Sequence, residues 1–389
     1  MRVRRCAIVL LEPREETALD IGALLAGGNG LARRRHWLAL AAHLDAPVEV
    51  DLAQREALAT IPVEAWSDPA SIGVSPSVLE ALLDAALVLR EDDTSKPRQQ
   101  DDAVRKANWW PLSALAHRHA RWAGLDSVAA MDASGMREVA GLRKRLGPPP
   151  SAIVERVPAA ERVALPHVPD DALDQHWMTR CTCRNFDASK SLTAEMLGVM
   201  LQRVLMAKSV FAQEDMQFLK TNVASGGGLH PISTYLLVQR VDGIEPGLYH
   251  YHALDHALEP LPAASQAPRD LAMRLMAGQH WFADAPVLVL LAARFQRSFW
   301  KYRQHPKGYR ALVLEIGHIS QAFYLSAHEL GLGAFVTAAI NEVDAEEAFG
   351  LDPAIEGPIA VCGFGWRGTT MRTAEFDPGG RLWARDTDP

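Results

Sequence analysis

The chain has 389 residues, enough for two or three domains, with 48% hydrophobic and 22% charged residues, an ordinary soluble balance. A net charge of −7 gives no general pull toward nucleic acid or an anionic membrane, and the longest apolar run, Ala285 to Ala293, is far short of the roughly 20 residues of a membrane span. MRVRRCAIVLLEPREE turns acidic too soon for a secretory signal. The four cysteines (Cys6, Cys181, Cys183 and Cys362) read as reduced thiols, and the chain is expected in the cytoplasm. Cys181-x-Cys183 lacks the second pair that a zinc site needs, so no metal is expected.

In chain order, a strand is predicted at Cys6–Leu11, then a helical stretch through HWLALAAHL. SPSVLEALLDAALVL follows as a helix with Ser75 or Ser77 as N-cap and a strand-like tail. This pattern makes 1–90 a small winged-helix-like domain. EDDTSKPRQQDD (91–102) reads as a loop, and WWPLSALAHRHARW resumes a helix. The proline-rich stretch 147–171 reads as an extended connector, so 91–172 is assigned as linker and helical connector. The ARRRH cluster (32–36) reads as a solvated helix face rather than a DNA contact.

Residues 173–389 read as one domain. SLTAEMLGVMLQRVL and GYRALVLEIGHISQAFYLSAHELGLG have helical periodicity, the latter ending at glycine. STYLLVQRV, GLYHYH, APVLVLLAARF and PIAVCGFGW read as strands. Helices and strands mix without βαβ regularity, so the fold class is α+β.

Three stretches carry chemistry. SGGGLHP (225–231) bares its backbone but leads into a strand, not a helix, so it offers no phosphate-binding helix N-terminus. A flat aromatic ring is a guest that such backbone fits, and a plain turn is the other reading. In MTRCTCRNFD, an extended chain puts Arg180, Thr182 and Arg184 on one side, where two guanidiniums and a hydroxyl suit an anion. Spacing alone leaves a solvated basic turn equally open. Lys301-Tyr302 is a cation beside a phenol. A tyrosine is a poor base at neutral pH, and a cation close to it favours the phenolate. Neighbours on a helix do not face each other, so the pair is predicted in a loop or at a kink, with His305-Pro306 following. Of the histidines, His230 and His305 read as structural, and His318 as a core histidine or one bonded near Glu315.

R-x-T-x-R-x-F, S-G-G-G-L-H-P, G-L-Y-H-Y, E-x-G-H-x-x-Q and G-L-G occur in that order over about 173–368. The series resembles the nitroreductase-like FMN superfamily. It looks closest to the SagB-type thiazoline/oxazoline dehydrogenases of ribosomal peptide maturation, in the group called peptide maturation dehydrogenases. The resemblance implies FMN as cofactor. Arg180, Thr182 and Arg184 would serve its phosphate and ribityl chain, although Cys181 stands where the family usually has a second arginine. Ser225, Gly226, Gly227, Gly228 and Leu229 would lie against the isoalloxazine, Gly331 and Gly333 near its edge, and Arg367 and Arg372 would add basic contacts. Lys301 and Tyr302 match the branch's catalytic acid/base pair.

The implied activity is oxidation of azolines to azoles in a modified precursor peptide, with a cyclodehydratase as possible partner and a homodimer as the assembly. Two alternatives stand beside it: an NAD(P)H-dependent nitroreductase-like reductase, and a non-catalytic leader-peptide scaffold with a vestigial flavin site.

Overall fold

The architecture is that of a computed structural model, which describes residues 2–383. The chain divides into two compact units. One comprises the residues up to Arg121 together with 294–312 and 351–357; the other comprises 122–293, 313–350 and the remainder.

In the first unit, Val9–Leu19 and Leu31–Ala41 pair antiparallel along eleven residues each, and Val48–Val50 adds a third strand. HWLALAAHL is therefore strand, not helix, through Ala41. The reason is long-range: this pairing buries Ala39 and Ala41 in the core with Val3, Leu58, Leu82 and Leu89, and tertiary pairing overrides local helix propensity. The arginines follow suit. Arg33 and Arg35 reach Glu15 across the ribbon at 3.3 and 2.9 Å, and Arg34 reaches Glu49 at 2.7 Å. The expected first strand is also displaced, with Val3–Arg5 pairing Val88–Arg90 and Val9 opening the next.

Ser75 caps the helix Pro76–Asp84 as its sequence indicates. EDDTSKPRQQDD is not all loop, because Ser95 caps a helix, Lys96–Ala107, with proline in its first turn. Four of its charges, Arg98, Asp101, Asp102 and Arg105, obscured the pattern because they are turned inward or half-buried and are paired. Fully buried Asp101 is held by Arg105 at 2.7 Å and by the Ala7 N–H at 2.6 Å. This helix and Pro111–His119 group with the first unit rather than with a connector.

The second unit is built on a six-stranded sheet flanked by helices. The strand order is Ala257–Pro260, Gly247–His252, Ile232–Val238, Val287–Arg294, Glu356–Trp366, Leu332–Thr337. Val287–Arg294 is buried almost throughout, as an apolar run in mid-sheet must be. The helices Ala194–Val204 and Gly308–Glu329 supply Leu197, Leu201, Ile316 and Phe323 to the core against it. The fold class is α+β. Residues 148–171 are exposed and carry only a short turn, Ala159–Glu161. Among the described residues no helix is long and apolar enough to cross a membrane.

Candidate flavin site

Residues 180–184 run extended, with Thr182 bridging Ala334 and the Cys183 N–H donating to the Ala334 carbonyl at 2.9 Å. Alternation then buries Cys181 and Cys183 and turns Arg180, Thr182 and Arg184 outward. Arg180 and Thr182 meet on one side chain. Thr182 Oγ1 lies 2.9 Å from the Tyr324 hydroxyl, and the Arg180 guanidinium sits 5.3 Å from the centre of the Tyr324 ring. The Val336 N–H donates to the same hydroxyl at 3.2 Å. Burial pushes the Tyr324 hydroxyl up from its ordinary value, so it stays protonated and can donate. Arg184 goes elsewhere: its guanidinium donates to the Ala374 carbonyl at 3.3 Å and lines a cavity of about 520 Å³ with Arg372.

Arg367 is committed. It forms an ion pair with Glu375, whose side chain is fully buried, and Glu375 also accepts from the N–H groups of Arg184 (2.6 Å) and Asn185 (3.0 Å) and from the Trp383 indole (2.8 Å). Burial pushes this carboxyl up, but these donors and the Arg367 charge outweigh it, so Glu375 lies below the ordinary carboxylate value. Among the described residues Arg180 has no carboxylate partner.

The glycine stretch forms a single turn, Gly226–Gly228, before the strand Ile232–Val238. Gly227 and Gly228 have φ of +66° and +69°, a backbone that only glycine adopts freely. The turn is tied to the long helix at two points. Ser225 Oγ donates to buried Glu315 at 2.5 Å and accepts from the His230 N–H at 2.9 Å. His318 Nδ1 lies 3.0 Å from the Ala224 carbonyl, so the exposed His318 is a tether and not a core histidine.

The two glycines of G-L-G differ in role. Gly331 has φ +71° and open space around it, whereas a Cβ on Gly333 would stand 2.6 Å from Cys183 Sγ. The bareness of Gly333 is taken up by the cysteine. Gly333→Ala is expected to cost about 1–3 kcal/mol by overpacking. Thermal melts of Gly333→Ala with and without Cys183→Gly check this, since removing both the sulfur and the Cβ that stand 2.6 and 2.7 Å from the added methyl should restore part of the loss. Burial pushes the Cys183 thiol up to about 12, so it is a thiol and not a nucleophile.

Lys301 and Tyr302 lie in the first unit. Lys301 ends the helix Phe295–Lys301 and Tyr302 is its C-cap, with φ −99° and ψ 43°. The pair therefore sits where the helix stops, and Lys301 Nζ comes 5.8 Å from the Tyr302 ring centre. Gly308 keeps the following turn tight, because a Cβ there would stand 2.9 Å from the Phe299 ring and 3.2 Å from Tyr302 Cβ. Sequence reasoning passed over Tyr324, Gly308 and Glu375. Their roles depend on partners far away in the chain, and Glu375 lies in a polar tail with no periodicity to mark it.

Residues 178–366 match the Nitroreductase family model. The chain carries a nitroreductase-family domain. Over 152 residues it is 33% identical to the trifolitoxin-processing protein TfxB of Rhizobium leguminosarum bv. trifolii, covering 37% of this chain and 39% of that protein. Over 162 residues it is 28% identical to the microcin B17-processing protein McbC of Escherichia coli, covering 40% of this chain and 58% of that one. The matches thus span less than two thirds of either relative. Among solved structures, a chain of the E. coli microcin synthetase McbBCD complex with truncated pro-MccB17 bound aligns with a TM-score of 0.47 and 20% identity. That alignment covers 72% of this chain and all of the other. The resemblance read from the sequence holds at the level of the family, and the two relatives are named for processing trifolitoxin and microcin B17.

Proposed function

We propose that this chain is an FMN-dependent dehydrogenase that oxidises azoline rings to azoles in a ribosomally made, modified peptide. The observation that carries the reading is the Arg180–Thr182–Tyr324 cluster, a cation without a carboxylate partner among the described residues, in a nitroreductase-family domain whose long helix also holds a positive-φ glycine turn. The donor set fits a flavin phosphate, and the turn offers side-chain-free backbone for a flat ring. Relatives that process microcin B17 and trifolitoxin support a peptide as the substrate.

FMN, when bound, supplies the hydride acceptor. Arg180 and Thr182 would hold its phosphate, Arg184 and Arg372 being turned to a separate cavity, and Ser225–Leu229 and Gly331 would present backbone to its ring. Glu315 fixes the turn through Ser225. Tyr302 would act as the base through an ionised oxygen with Lys301 as its neighbouring cation, taking the proton from the ring carbon that was the peptide Cα and ending as a neutral phenol. The azoline then loses one proton and one hydride, and the ring becomes aromatic.

A homodimer belongs to the proposal. Glu315 and Tyr324 are nine residues apart, about two and a half helical turns, so the glycine turn and the Arg180–Thr182 segment are pinned to opposite faces of one helix. A site assembled from two chains would unite the two kinds of segment. Val313 (49% exposed), Leu314 (64% exposed) and bare Gly317 give that helix an uncovered apolar stripe for such a contact. A cyclodehydratase is the expected supplier of azolines.

The test is incubation of the flavin-loaded protein with an azoline-containing peptide. Loss of two hydrogens per ring, read by mass spectrometry, is expected. Steady NADPH consumption with a nitroaromatic and no change in the peptide would favour the reductase.

A further inference from the structure

We infer that the first unit carries a docking groove for a peptide segment with an apolar centre flanked by lysine or arginine. The groove, of about 760 Å³, runs between the helix Pro76–Asp84 and the strand Val88–Arg90. Its floor is apolar, made by Val74, Leu79, Leu83 and Val88. One stripe of the helix, positions 76, 79/80 and 83/84, faces it. The nine-residue helix is about 13 Å long, which an extended peptide spans in about four residues. Four residues present their alternate side chains to the floor and leave the flanking ones at the rim.

Charge sets the partner. Glu80 and Asp84 are exposed on the rim, one helical turn apart, and neither makes an ion pair or side-chain hydrogen bond among the described residues. Like charges at this spacing disfavour a helix, so the pair is a standing site for a cation from outside. The other rim charges are committed. Arg90 faces Asp92 at 3.6 Å, and Asp93 accepts from the Ser95 N–H and hydroxyl, both at 2.8 Å. An apolar floor under an unneutralised acidic rim selects a basic–apolar segment over an acidic one. This inference does not depend on the flavin chemistry, and it holds or fails whether or not the chain is a dehydrogenase.

The experiment uses the full chain and two fluorescein-labelled synthetic decapeptides with the same leucine–valine centre, one flanked by lysines and the other by glutamates. Fluorescence anisotropy is expected to show at least tenfold tighter binding of the lysine-flanked peptide. In the double variant Glu80→Lys/Asp84→Lys, both sites exposed so that folding is retained, the preference is expected to reverse. Leu83→Asp should weaken both peptides. No binding of either peptide, equal binding of both, or a preference unmoved by the charge reversal would overturn the inference. Dissociation of a dimer by Glu80→Lys/Asp84→Lys, seen in sedimentation, would overturn it too, by giving the groove to a second copy of the chain.

Discussion

Tyr302→Phe is expected to leave flavin content unchanged and to lower azoline oxidation by about 10²–10⁴-fold, the usual contribution of a positioned general base. The substitution is narrow. It keeps the aromatic ring over which Lys301 Nζ sits at 5.8 Å, keeps the C-cap of the helix Phe295–Lys301, and removes only the oxygen proposed to take the proton. Lys301→Ala should also lower turnover, though less, since it removes the neighbouring cation and not the proposed base itself. Both are measured by peptide mass spectrometry on protein whose bound FMN has first been quantified by absorbance. Unchanged turnover in Tyr302→Phe removes Tyr302 from the mechanism.

Glu375→Ala is expected to have the largest effect on stability, about 3–5 kcal/mol, the range for breaking one side of a buried ion pair. Arg367 would be left without its carboxylate, and the N–H groups of Arg184 and Asn185 would lose their acceptor. These groups flank the Arg180–Thr182 segment, so weaker flavin retention should accompany the lower Tm. The pH dependence follows from the direction of the Glu375 shift. A carboxyl held below its ordinary value contributes stability above that value, and loses it as pH falls through the lower, folded-state value. The Tm difference between the native chain and Glu375→Ala should therefore be full at neutral pH and shrink on acidification. A difference that is constant with pH would show that the ionised carboxylate is not what holds the segment.

Most of the second unit was legible because its elements are long and strongly periodic. Val287–Arg294 is an uninterrupted apolar run, and Gly308–Glu329 repeats apolar residues at helical spacing up to its glycine. The first unit was harder. HWLALAAHL (36–44) reads as a helix when taken alone, and only pairing with Val9–Leu19, about twenty residues away, makes it a strand through Ala41. In Lys96–Ala107 the polar composition pointed to a loop, while the structure buries Asp101 by pairing it with Arg105.

The site divides in the same way. Local motifs marked Arg180, Thr182 and the glycine turn, because their chemistry sits in consecutive residues. Spacing could not show that Arg367 is spent on Glu375, or that Gly333 makes room for Cys183. Each of those facts involves a partner that only the fold brings close.

The central claim is flavin binding, and the visible absorption spectrum of the purified protein, with the released chromophore identified by mass, tests it most directly. A yellow protein that releases FMN, one per chain, is the predicted result. A colourless protein that cannot be reconstituted with FMN would contradict the account.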